Sequence, residues 1–475
     1  RYIGISAPTG SGKSIIAMIA AGLTNNCTRV LTHTKGLQDQ LMDDFSMSGL
    51  VDIRGQNNYT CNLETGGRTL SVDNAPCHDG MRCHLKERGC TYYDQLRLAR
   101  KSSKTVTNYA AWMALENYAP ETSQLNASLL VCDEASTAFS AMEGFLSFNM
   151  SEAFLSELEI DMPVRCDNWE WDRWVNWFQM STPFRNLENQ KSSSLIKEWE
   201  TKKTLILTSK KPWAVDESPT GYTFTPLWMD AYKKMLFRNV PKVILMSADL
   251  TPKDCYLLGI KPEELEWYDM ESSFPPENTP ITHIKSVRVH YKMKDEDKSL
   301  WSSRIDQLLA HRPDQKIIVF PVSYTNADYI ATHTRFRGRT MTHKRTNAFQ
   351  TIRQFQHARA PRVLISPAAT MGYNFPGDQA RVIVIAKVPW PSTQSKVFKA
   401  RKAEDKEYEH HIIAKQLVQS CGRGTRYPDD YCEVFIMDDT IGWWWKKYAH
   451  LTPSWFQERY QGTLEQIPLC PLNRS

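Results

Sequence analysis

Long apolar runs are missing from this sequence of 475 residues. No stretch approaches the ~20 consecutive apolar residues of a membrane-spanning helix, and no basic leader precedes the first apolar helical pattern. We therefore expect no membrane partner and no secretion. Internal repeats and low-complexity tracts are absent as well. The composition, 41% hydrophobic and 23% charged, is that of a folded protein, and the length suits about three domains.

A disulfide framework is also missing. The eleven cysteines are an odd number without a secretory signal, which favours reduced thiols in the cytoplasm. Four of them fall within thirty residues, namely Cys61, Cys77, Cys83 and Cys90. This set can bind zinc or an iron–sulfur cluster. The absence of C-x-x-C pairs favours the cluster, while His78 and His84 keep zinc as the alternative.

Excess charge is small, because the net charge is only +5. Between residues 54 and 104, however, nine Lys and Arg face five Asp and Glu, so +4 of that charge lies in one segment. Such a segment is most often a solvated face. Charge alone therefore does not identify the binding partner of this segment.

A phosphate-binding loop occupies residues 7–14, which read A-P-T-G-S-G-K-S. It follows a strand-like run over residues 2–6 and precedes a helical pattern over residues 15–23 that we expect to be buried. Backbone N–H groups of such a loop bind the phosphates of ATP. Lys13 would reach the β- and γ-phosphates and Ser14 would ligate Mg²⁺. The predicted nucleotide ligands are Gly10, Ser11, Gly12, Lys13 and Ser14.

Two carboxylates follow the predicted strand at residues 128–132. At the carboxyl end of a strand beside a phosphate loop, Asp133 would hold Mg²⁺. Its neighbour Glu134 would polarise the attacking water. Together with the loop, these side chains predict an ATP hydrolase.

Two arginines near the other end of the chain complete this site. Arg423 and Arg426 lie three residues apart after Gln419, on a segment that we expect to be helical, so they would share one face. Two guanidiniums suit the charge of a γ-phosphoryl group in transit. We therefore expect them to act across a cleft.

Short apolar runs alternate with helical patterns in the first third and the last two-fifths of the chain, which predicts two α/β domains with parallel sheets. The Pro-rich residues 274–280 would link them. Trp171, Trp174 and Phe178 share a helical face that is typical of packed core. The predicted strands are residues 2–6, 28–33, 128–132, 242–248, 316–322, 362–366, 382–387 and 432–437.

The motifs, in this order, resemble those of superfamily 2 DNA helicases of the XPD/DinG type. Residues 30–41 are similar to the motif that contacts the DNA backbone, which implies a DNA-binding role for Thr34 and Lys35. Residues 133–136 resemble a DEAH box, and residues 245–252 resemble the S-A-T-L-T/S-P segment that couples ATP to DNA. Residues 419–426 match Q-x-x-G-R-x-x-R, which adds Gln419 to the site.

The cysteine-rich segment is part of the same resemblance. Residues 54–61 are similar to the G-R-x-N-Y-x-C start of the family's iron–sulfur domain. The resemblance implies a 4Fe–4S cluster on the four cysteines, holding a small basic domain against DNA. The excess positive charge of residues 54–104 then favours phosphate contact.

The resemblance implies two RecA-like motor domains, a small iron–sulfur insertion and a helical, arch-like insertion, in an α/β fold. It further implies an ATP- and Mg²⁺-dependent translocase with 5′→3′ polarity on single-stranded DNA and on forked or tailed duplexes. We expect a cytoplasmic monomer from a bacterial or phage-infected cell. The predicted domains are residues 1–53, 105–144 and 236–273 for the first motor domain, 54–104 for the cluster, 145–235 for the arch and 281–475 for the second motor domain.

Four positions depart from the family pattern, namely Ser136, Asp249, Met371 and Asn374. They lie in elements that link hydrolysis to DNA movement. The alternative function is therefore an ATP-gated module that binds single-stranded DNA with weak or uncoupled unwinding. An RNA helicase is disfavoured, because the cysteine segment resembles that of DNA-directed relatives.

Overall fold

A computed structural model describes the chain except residues 25–26, 64–68, 78–80, 119–123, 165, 167, 184–191, 371, 428 and 470–475. The strands of the described part are β1 (Tyr2–Ser6), β2 (Thr28–Thr32), β3 (Leu50–Asp52), β4 (Lys104–Asn108), β5 (Leu129–Asp133), β6 (Phe148–Ser151), β7 (Trp213–Ser218), β8 (Gly221–Pro226), β9 (Lys242–Ser247), β10 (Leu265–Asp269), β11 (Ile281–Ile284), β12 (Lys316–Phe320), β13 (Thr340–Met341), β14 (Arg362–Ile365), β15 (Val382–Ile385), β16 (Glu433–Ile436) and β17 (Tyr460–Leu464).

The α-helices of the same part are α1 (Lys13–Leu23), α2 (Lys35–Phe45), α3 (Thr91–Lys101), α4 (Tyr109–Tyr118), α5 (Ala138–Leu146), α6 (Glu152–Glu157), α7 (Trp171–Met180), α8 (Ser192–Leu207), α9 (Lys233–Phe237), α10 (Pro252–Leu257), α11 (Asp295–His311), α12 (Tyr324–His333), α13 (Ala348–His357), α14 (Lys396–Glu404), α15 (Tyr408–Cys421), α16 (Thr440–Tyr448) and α17 (Ser454–Gln457). None of these helices has the length and apolarity that a membrane span requires.

The first sheet is parallel, in the order β10-β1-β9-β5-β2-β4-β3. Its central strands are buried on both faces, as their continuous apolar runs predict. Because β1, β9 and β5 are neighbours, the segments that follow them meet at one edge. The backbone N–H of Ala7 donates to the carbonyl of Ser247 at 3.0 Å. The order of strands thus brings the phosphate loop to the acidic residues.

The second sheet is also parallel, in the order β13-β14-β12-β15-β16-β11-β17. Apolar clusters cover its two faces. One cluster includes α13, α15 and α16, and the other includes α11 and α12. The two α/β units and their parallel sheets confirm the predicted fold class.

Sequence patterns predicted the central strands to within two residues and missed the strands at the edges. Six strands of these two sheets were not predicted. Four of them, β3, β10, β13 and β17, are the outermost strands, and the other two, β4 and β11, each lie next to an outermost strand. Edge strands have a solvent-facing side, so their residues are more polar and no continuous apolar run marks them. β10 and β17, for example, are largely exposed.

The expectation that the helix after the phosphate loop is buried is wrong for one face. α1 packs its small residues Ala17 and Ala21 against the sheet, whereas Ile15, Ile19 and Leu23 are exposed. These three residues lie at four-residue spacing, on one stripe of the helix. α1 therefore carries apolar residues on two faces, and only one of these faces packs against the sheet.

The segment between β5 and β9 forms its own small core. α6, α7 and α8 are accompanied by an antiparallel sheet in the order β6-β8-β7, which the helical pattern did not predict. Trp174 and Phe178 are buried there, confirming that this stripe is core. The core is aromatic, and its large, fully buried members are Phe148, Trp174, Phe178, Trp199 and Phe224.

Candidate nucleotide site and DNA-coupling residues

The phosphate loop depends on two glycines with left-handed backbone conformation. Gly10 has φ 83° and Gly12 has φ 77°, a region that side-chain-bearing residues rarely adopt. The ring of Phe274, from the predicted linker, packs on Gly10 so closely that a Cβ there would lie 2.5 Å from its Cζ. Ser11 closes the turn by donating to the carbonyl of Pro8 at 2.7 Å. Only glycine fits at position 10.

Lys13 is the first residue of α1, and its ammonium folds back onto the loop. Its Nζ donates to the carbonyls of Ala7 at 3.1 Å and Pro8 at 3.3 Å. Ser14 follows it, half-buried, at the start of the same helix. The ammonium and the helix N-terminus thus lie together, an arrangement that favours bound phosphate.

Asp133 lies at the carboxyl end of β5 with only 6% of its surface exposed. Burial and the adjacent charge of Glu134 raise its pKa to about 6, and Lys13 opposes this shift. Its Oδ1 atom is buried and has no hydrogen-bond partner among the described residues. A buried carboxylate oxygen without a partner fits the hard cation Mg²⁺, which prefers such ligands.

Glu134 has a left-handed backbone, with φ 50°. Its Oε2 accepts a hydrogen bond from Ser247 Oγ at 2.8 Å, at the end of β9. The same hydroxyl lies 2.6 Å from Asp249 Oδ1. Ser247 has one proton to donate, so it serves one of the two carboxylates at a time. Ser247 was not predicted from the sequence, although the S-A-T-like motif contains it.

The network continues into the second domain through Asp249. Gln419 on α15 donates from Nε2 to Asp249 Oδ2 at 2.9 Å. Asp249, which departs from the family pattern, therefore bonds both Ser247 and Gln419. Ser136, another departure, places its Oγ 3.2 Å from Ser247 Oγ. Both departures take part in one hydrogen-bonded cluster.

A buried charge cluster joins the same two domains, and sequence patterns did not predict it. Asp254 Oδ1 accepts from Lys415 Nζ at 2.8 Å and lies 3.1 Å from His411 Nε2. Burial opposes ionisation of Asp254, but the charges of Lys415 and His411 hold its pKa well below the ordinary value. Lys415 also donates to the carbonyl of Ser136. Only the Thr-x-x-Asp cap of α10 marked Asp254 in the sequence.

The predicted helical face of the two arginines is wrong, because α15 ends at Cys421. Arg423 and Arg426 lie on the loop that follows the helix. Arg423 donates to the carbonyls of Thr370 at 2.8 Å and Tyr373 at 3.2 Å. The glycines at 422 and 424 end the helical pattern, as glycine commonly does.

Both guanidiniums are desolvated. Burial and the neighbouring charge of Arg426 lower the pKa of Arg423 to about 10, and burial lowers the pKa of Arg426. Glu134 of the first domain opposes both shifts, so the arginines face that carboxylate. Arg426 donates to the side chain of Asn374, and its buried Nε lacks a partner among the described residues. Buried cations of this kind suit a polyanionic ligand.

The predicted DNA contacts lie apart from this cluster. Thr34 and Lys35 are exposed where β2 ends and α2 begins. The Thr34 hydroxyl accepts from the backbone N–H of Leu37 at 3.3 Å and caps α2. A capped helix start with an exposed ammonium is suited to a phosphate of a DNA backbone.

The four predicted cluster ligands share one neighbourhood. Cys77 and Cys90 are buried, and Cys61 and Cys83 are less so. Burial raises the pKa of Cys77; Lys86 opposes this shift, and the three other cysteines add to it. His84 is exposed, and His78, like Met371, lies outside the described residues. Within the described residues, no three potential ligands stand at metal-binding distance. An all-thiol donor set fits an iron–sulfur cluster.

Comparison with known proteins identifies the fold. Residues 305–459 match the family of the helicase C-terminal domain. A solved XPD helicase is similar to this chain with TM-score 0.63 and 15% identity, over 98% of this chain and 96% of that one. XPD in its apo form gives TM-score 0.56 and 15% identity, over 94% of each chain. Xpd4 of S. tokodaii gives TM-score 0.57 and 12% identity, over 97% of this chain and 96% of that one.

The residues matched by this family include strands β12 to β16 of the second sheet together with Gln419, Arg423 and Arg426. The structural similarity covers 98% of this chain, so it extends over both sheets and over the insertions between strands of the first sheet. Residues 305–459 thus match a helicase C-terminal domain, and the chain as a whole has the fold of the solved XPD helicases.

Proposed function

We propose that this protein is an ATP-driven translocase that moves along single-stranded DNA in the 5′→3′ direction and unwinds the duplex ahead of it. The observation that carries the proposal is the hydrogen-bonded connection from Glu134 through Ser247 and Asp249 to Gln419. It joins the hydrolytic carboxylate of one domain to the arginine-bearing segment of the other. A change in either domain therefore reaches the other directly.

Hydrolysis follows from the positions of the side chains. Lys13 would bind the β- and γ-phosphates, while Ser14 and Asp133 would hold Mg²⁺, which would neutralise charge on the phosphates. Glu134 orients and deprotonates the attacking water. Arg423 and Arg426 bind the negative charge that develops on the γ-phosphoryl group. Release of phosphate removes the anion between the domains and lets them separate.

Thr34 and Lys35 hold the DNA backbone in this proposal, and the basic residues of segment 54–104 extend the contact toward a fork or a tailed end. Phosphate contacts of this kind carry no sequence information. The proposed enzyme is a cytoplasmic monomer of a bacterial or phage-infected cell. Its substrates are single strands and partly unwound duplexes of any sequence.

A 4Fe–4S cluster on the four clustered cysteines is part of the proposal. It would crosslink the segment around Cys77 and Cys90, whose described residues between β3 and α3 form only short helical turns. In Cys77→Ser protein purified without oxygen, we expect the iron content to fall to near zero. In Cys27→Ser, which changes an exposed cysteine, the iron content stays at the unmodified level. Zinc in place of iron in the unmodified protein would refute the cluster.

Lys13→Ala tests the nucleotide site. We expect loss of detectable ATP hydrolysis with little change in the affinity for single-stranded DNA, because the described hydrogen bonds of the Lys13 ammonium are to the phosphate loop. Phosphate release and fluorescence anisotropy with an oligonucleotide measure the two properties. Lys261→Ala, at an exposed lysine of the same domain, is the matched control. Retention of turnover in Lys13→Ala would exclude this site.

Asp249→Ala tests the connection between the domains. Hydrogen bonds to charged groups contribute about 1.5–3 kcal/mol, so we expect DNA-stimulated turnover to fall by about tenfold or more. Gln419→Ala gives a similar fall. The double variant is no worse than either single variant, because both changes break the same bond. Additive losses would show that the two residues act independently.

The alternative is an ATP-gated DNA-binding module with weak or uncoupled unwinding, and the contact between Asn374 and Arg426 favours it. A neutral amide holds Arg426 here, where the family has a carboxylate. If this substitution uncouples the domains, Asn374→Asp raises unwinding of a tailed duplex sharply. Unwinding at the same rate in both proteins supports the coupled translocase.

A further inference from the structure

Glu134 has a backbone conformation that its residue type rarely adopts. Its φ is 50° and its ψ is 43°, which is the left-handed region, where the Cβ atom is crowded by the backbone. Such a conformation persists only where the surrounding structure holds it. The groups that bind the peptide units on the two sides of Glu134 therefore determine where its carboxylate lies.

The peptide unit before Glu134 is held by Tyr109, the first residue of α4. Its hydroxyl donates to the carbonyl of Asp133 at 2.9 Å, and this carbonyl belongs to the peptide bond between Asp133 and Glu134. Tyr109 is 2% exposed. Burial raises the pKa of its hydroxyl well above the ordinary value, and the nearby Cys132, Asp133 and Glu134 add to the shift. The hydroxyl therefore keeps its proton and remains a donor throughout the physiological pH range.

The peptide unit after Glu134 is held by Thr137. Its backbone N–H at 2.9 Å and its Oγ1 hydroxyl at 2.7 Å both donate to the carbonyl of Glu134. Thr137 occupies the N-cap position of α5, where a threonine side chain ordinarily accepts a hydrogen bond from the helix. Here it makes no capping bond. The hydroxyl thus stabilises the turn at Glu134 rather than the start of the helix.

These two contacts fix both backbone dihedral angles of Glu134. The carbonyl of Asp133 lies on the φ side of the residue, and the carbonyl of Glu134 lies on the ψ side. Rotation about either bond would move the carboxylate that Ser247 orients at 2.8 Å. A residue that activates water must lie within about 2.6–3.2 Å of it, and a displacement of about 1 Å can lower a rate about 100-fold.

We propose that Tyr109 and Thr137 are positioning residues for ATP hydrolysis, because their hydroxyls hold Glu134 in its left-handed conformation and so place its carboxylate beside the attacking water. Neither residue touches the nucleotide in this proposal. The inference rests on the proposed function and adds to it the residues that set the geometry of its general base. Without either hydroxyl, the backbone of Glu134 relaxes while the fold of the domain remains.

Tyr109→Phe removes one hydroxyl and keeps the packing of the ring. We expect the kcat of DNA-stimulated ATP hydrolysis to fall by about tenfold, the upper range for one neutral hydrogen bond. The KM for ATP and the affinity for single-stranded DNA stay close to those of the unmodified protein. Tyr2→Phe is the matched control, since Tyr2 is also buried in the first domain and its hydroxyl has no hydrogen-bond partner among the described residues. Its kcat should be unchanged.

Thr137→Val and Thr137→Ser form a second pair of variants. Valine has the shape of threonine but lacks the donor, so we expect a fall in kcat similar to that of Tyr109→Phe. Serine keeps the hydroxyl and should retain the kcat of the unmodified protein. Thermal melting shows that each variant is folded before it is assayed. Equal turnover in the two Thr137 variants would overturn the role of this hydroxyl.

A cycle with Glu134→Gln distinguishes positioning from a general structural role. If Tyr109 acts through the Glu134 carboxylate, adding Tyr109→Phe to Glu134→Gln does not lower the residual single-turnover rate further. A further fall of the same size would show that the hydroxyl acts independently of that carboxylate, and would overturn the proposal. A higher Mg²⁺ requirement in Tyr109→Phe would also overturn it, because the hydroxyl would then act through Asp133.

These outcomes separate failure of the inference from failure of the proposed function. If Glu134→Gln lowers turnover as expected, but Tyr109→Phe and Thr137→Val hydrolyse ATP at the unmodified rate, the positioning role is wrong and the proposed function stands. If the unmodified protein shows no DNA-stimulated hydrolysis, the proposed function is overturned and the inference with it.

Discussion

Glu134→Gln lowers DNA-stimulated ATP turnover by about 10²- to 10⁴-fold, the range of a general base. The amide keeps the shape of the side chain and still accepts the hydrogen bond from Ser247, so the connection to Asp249 is preserved. It cannot take a proton from water. Steady-state phosphate release at saturating single-stranded DNA measures the effect, and ATP binding should remain.

Glu266→Gln is the matched control, because it changes an exposed carboxylate on β10 of the same sheet. Its turnover should equal that of the unmodified protein. A Glu134→Gln protein with full turnover would falsify the assignment of Glu134 as the residue that activates water. In that case Asp249, which shares the Ser247 hydroxyl, becomes the next carboxylate to replace.

Arg426→Ala lowers kcat by about 10³- to 10⁵-fold, the range of an arginine that binds a γ-phosphoryl group in transit. The guanidinium is half-buried, and burial lowers its pKa, so its charge is less screened than at an open surface and acts more strongly on a nearby anion. Arg426→Lys does not restore turnover, because an ammonium lacks the planar fork of donors. The KM for ATP changes much less than kcat in both variants.

Arg288→Ala, at an exposed arginine of the second domain, serves as the control and should leave kcat unchanged. A structural role for Arg426 gives a different result, since Arg426 also holds Asn374. A lower melting temperature with unchanged kcat would assign the residue to the stability of that segment. A loss of kcat without a loss of stability supports contact with the nucleotide.

Residues close together in the chain made much of the site predictable. The phosphate loop needs only a strand, glycines that tolerate positive φ and a helix start, all within residues 2–14. Asp133 and Glu134 directly follow an apolar strand. The central strands were predictable because both of their faces are buried, and the edge strands were not because one side of them is exposed.

The four departures from the family pattern show the limit of such reasoning. From the sequence, Asp249 and Asn374 are only substitutions in coupling elements. In the fold, Asp249 bonds Gln419, which lies 170 positions away, and Asn374 bonds Arg426. Glycines at 422 and 424 moved the arginines off the helix on which the pattern placed them.

The sequence by itself determined the local elements of this protein: which segments bind phosphate, which carboxylates follow them, and which strands form the centre of each sheet. Those features depend on backbone conformation and on burial of neighbouring residues. Both produce a recognisable periodicity or spacing of residue types in the sequence. Only the tertiary structure decided which distant side chains share a proton and where the arginines face. These features depend on contacts between elements that are far apart in the chain. A local sequence pattern carries no information about such contacts.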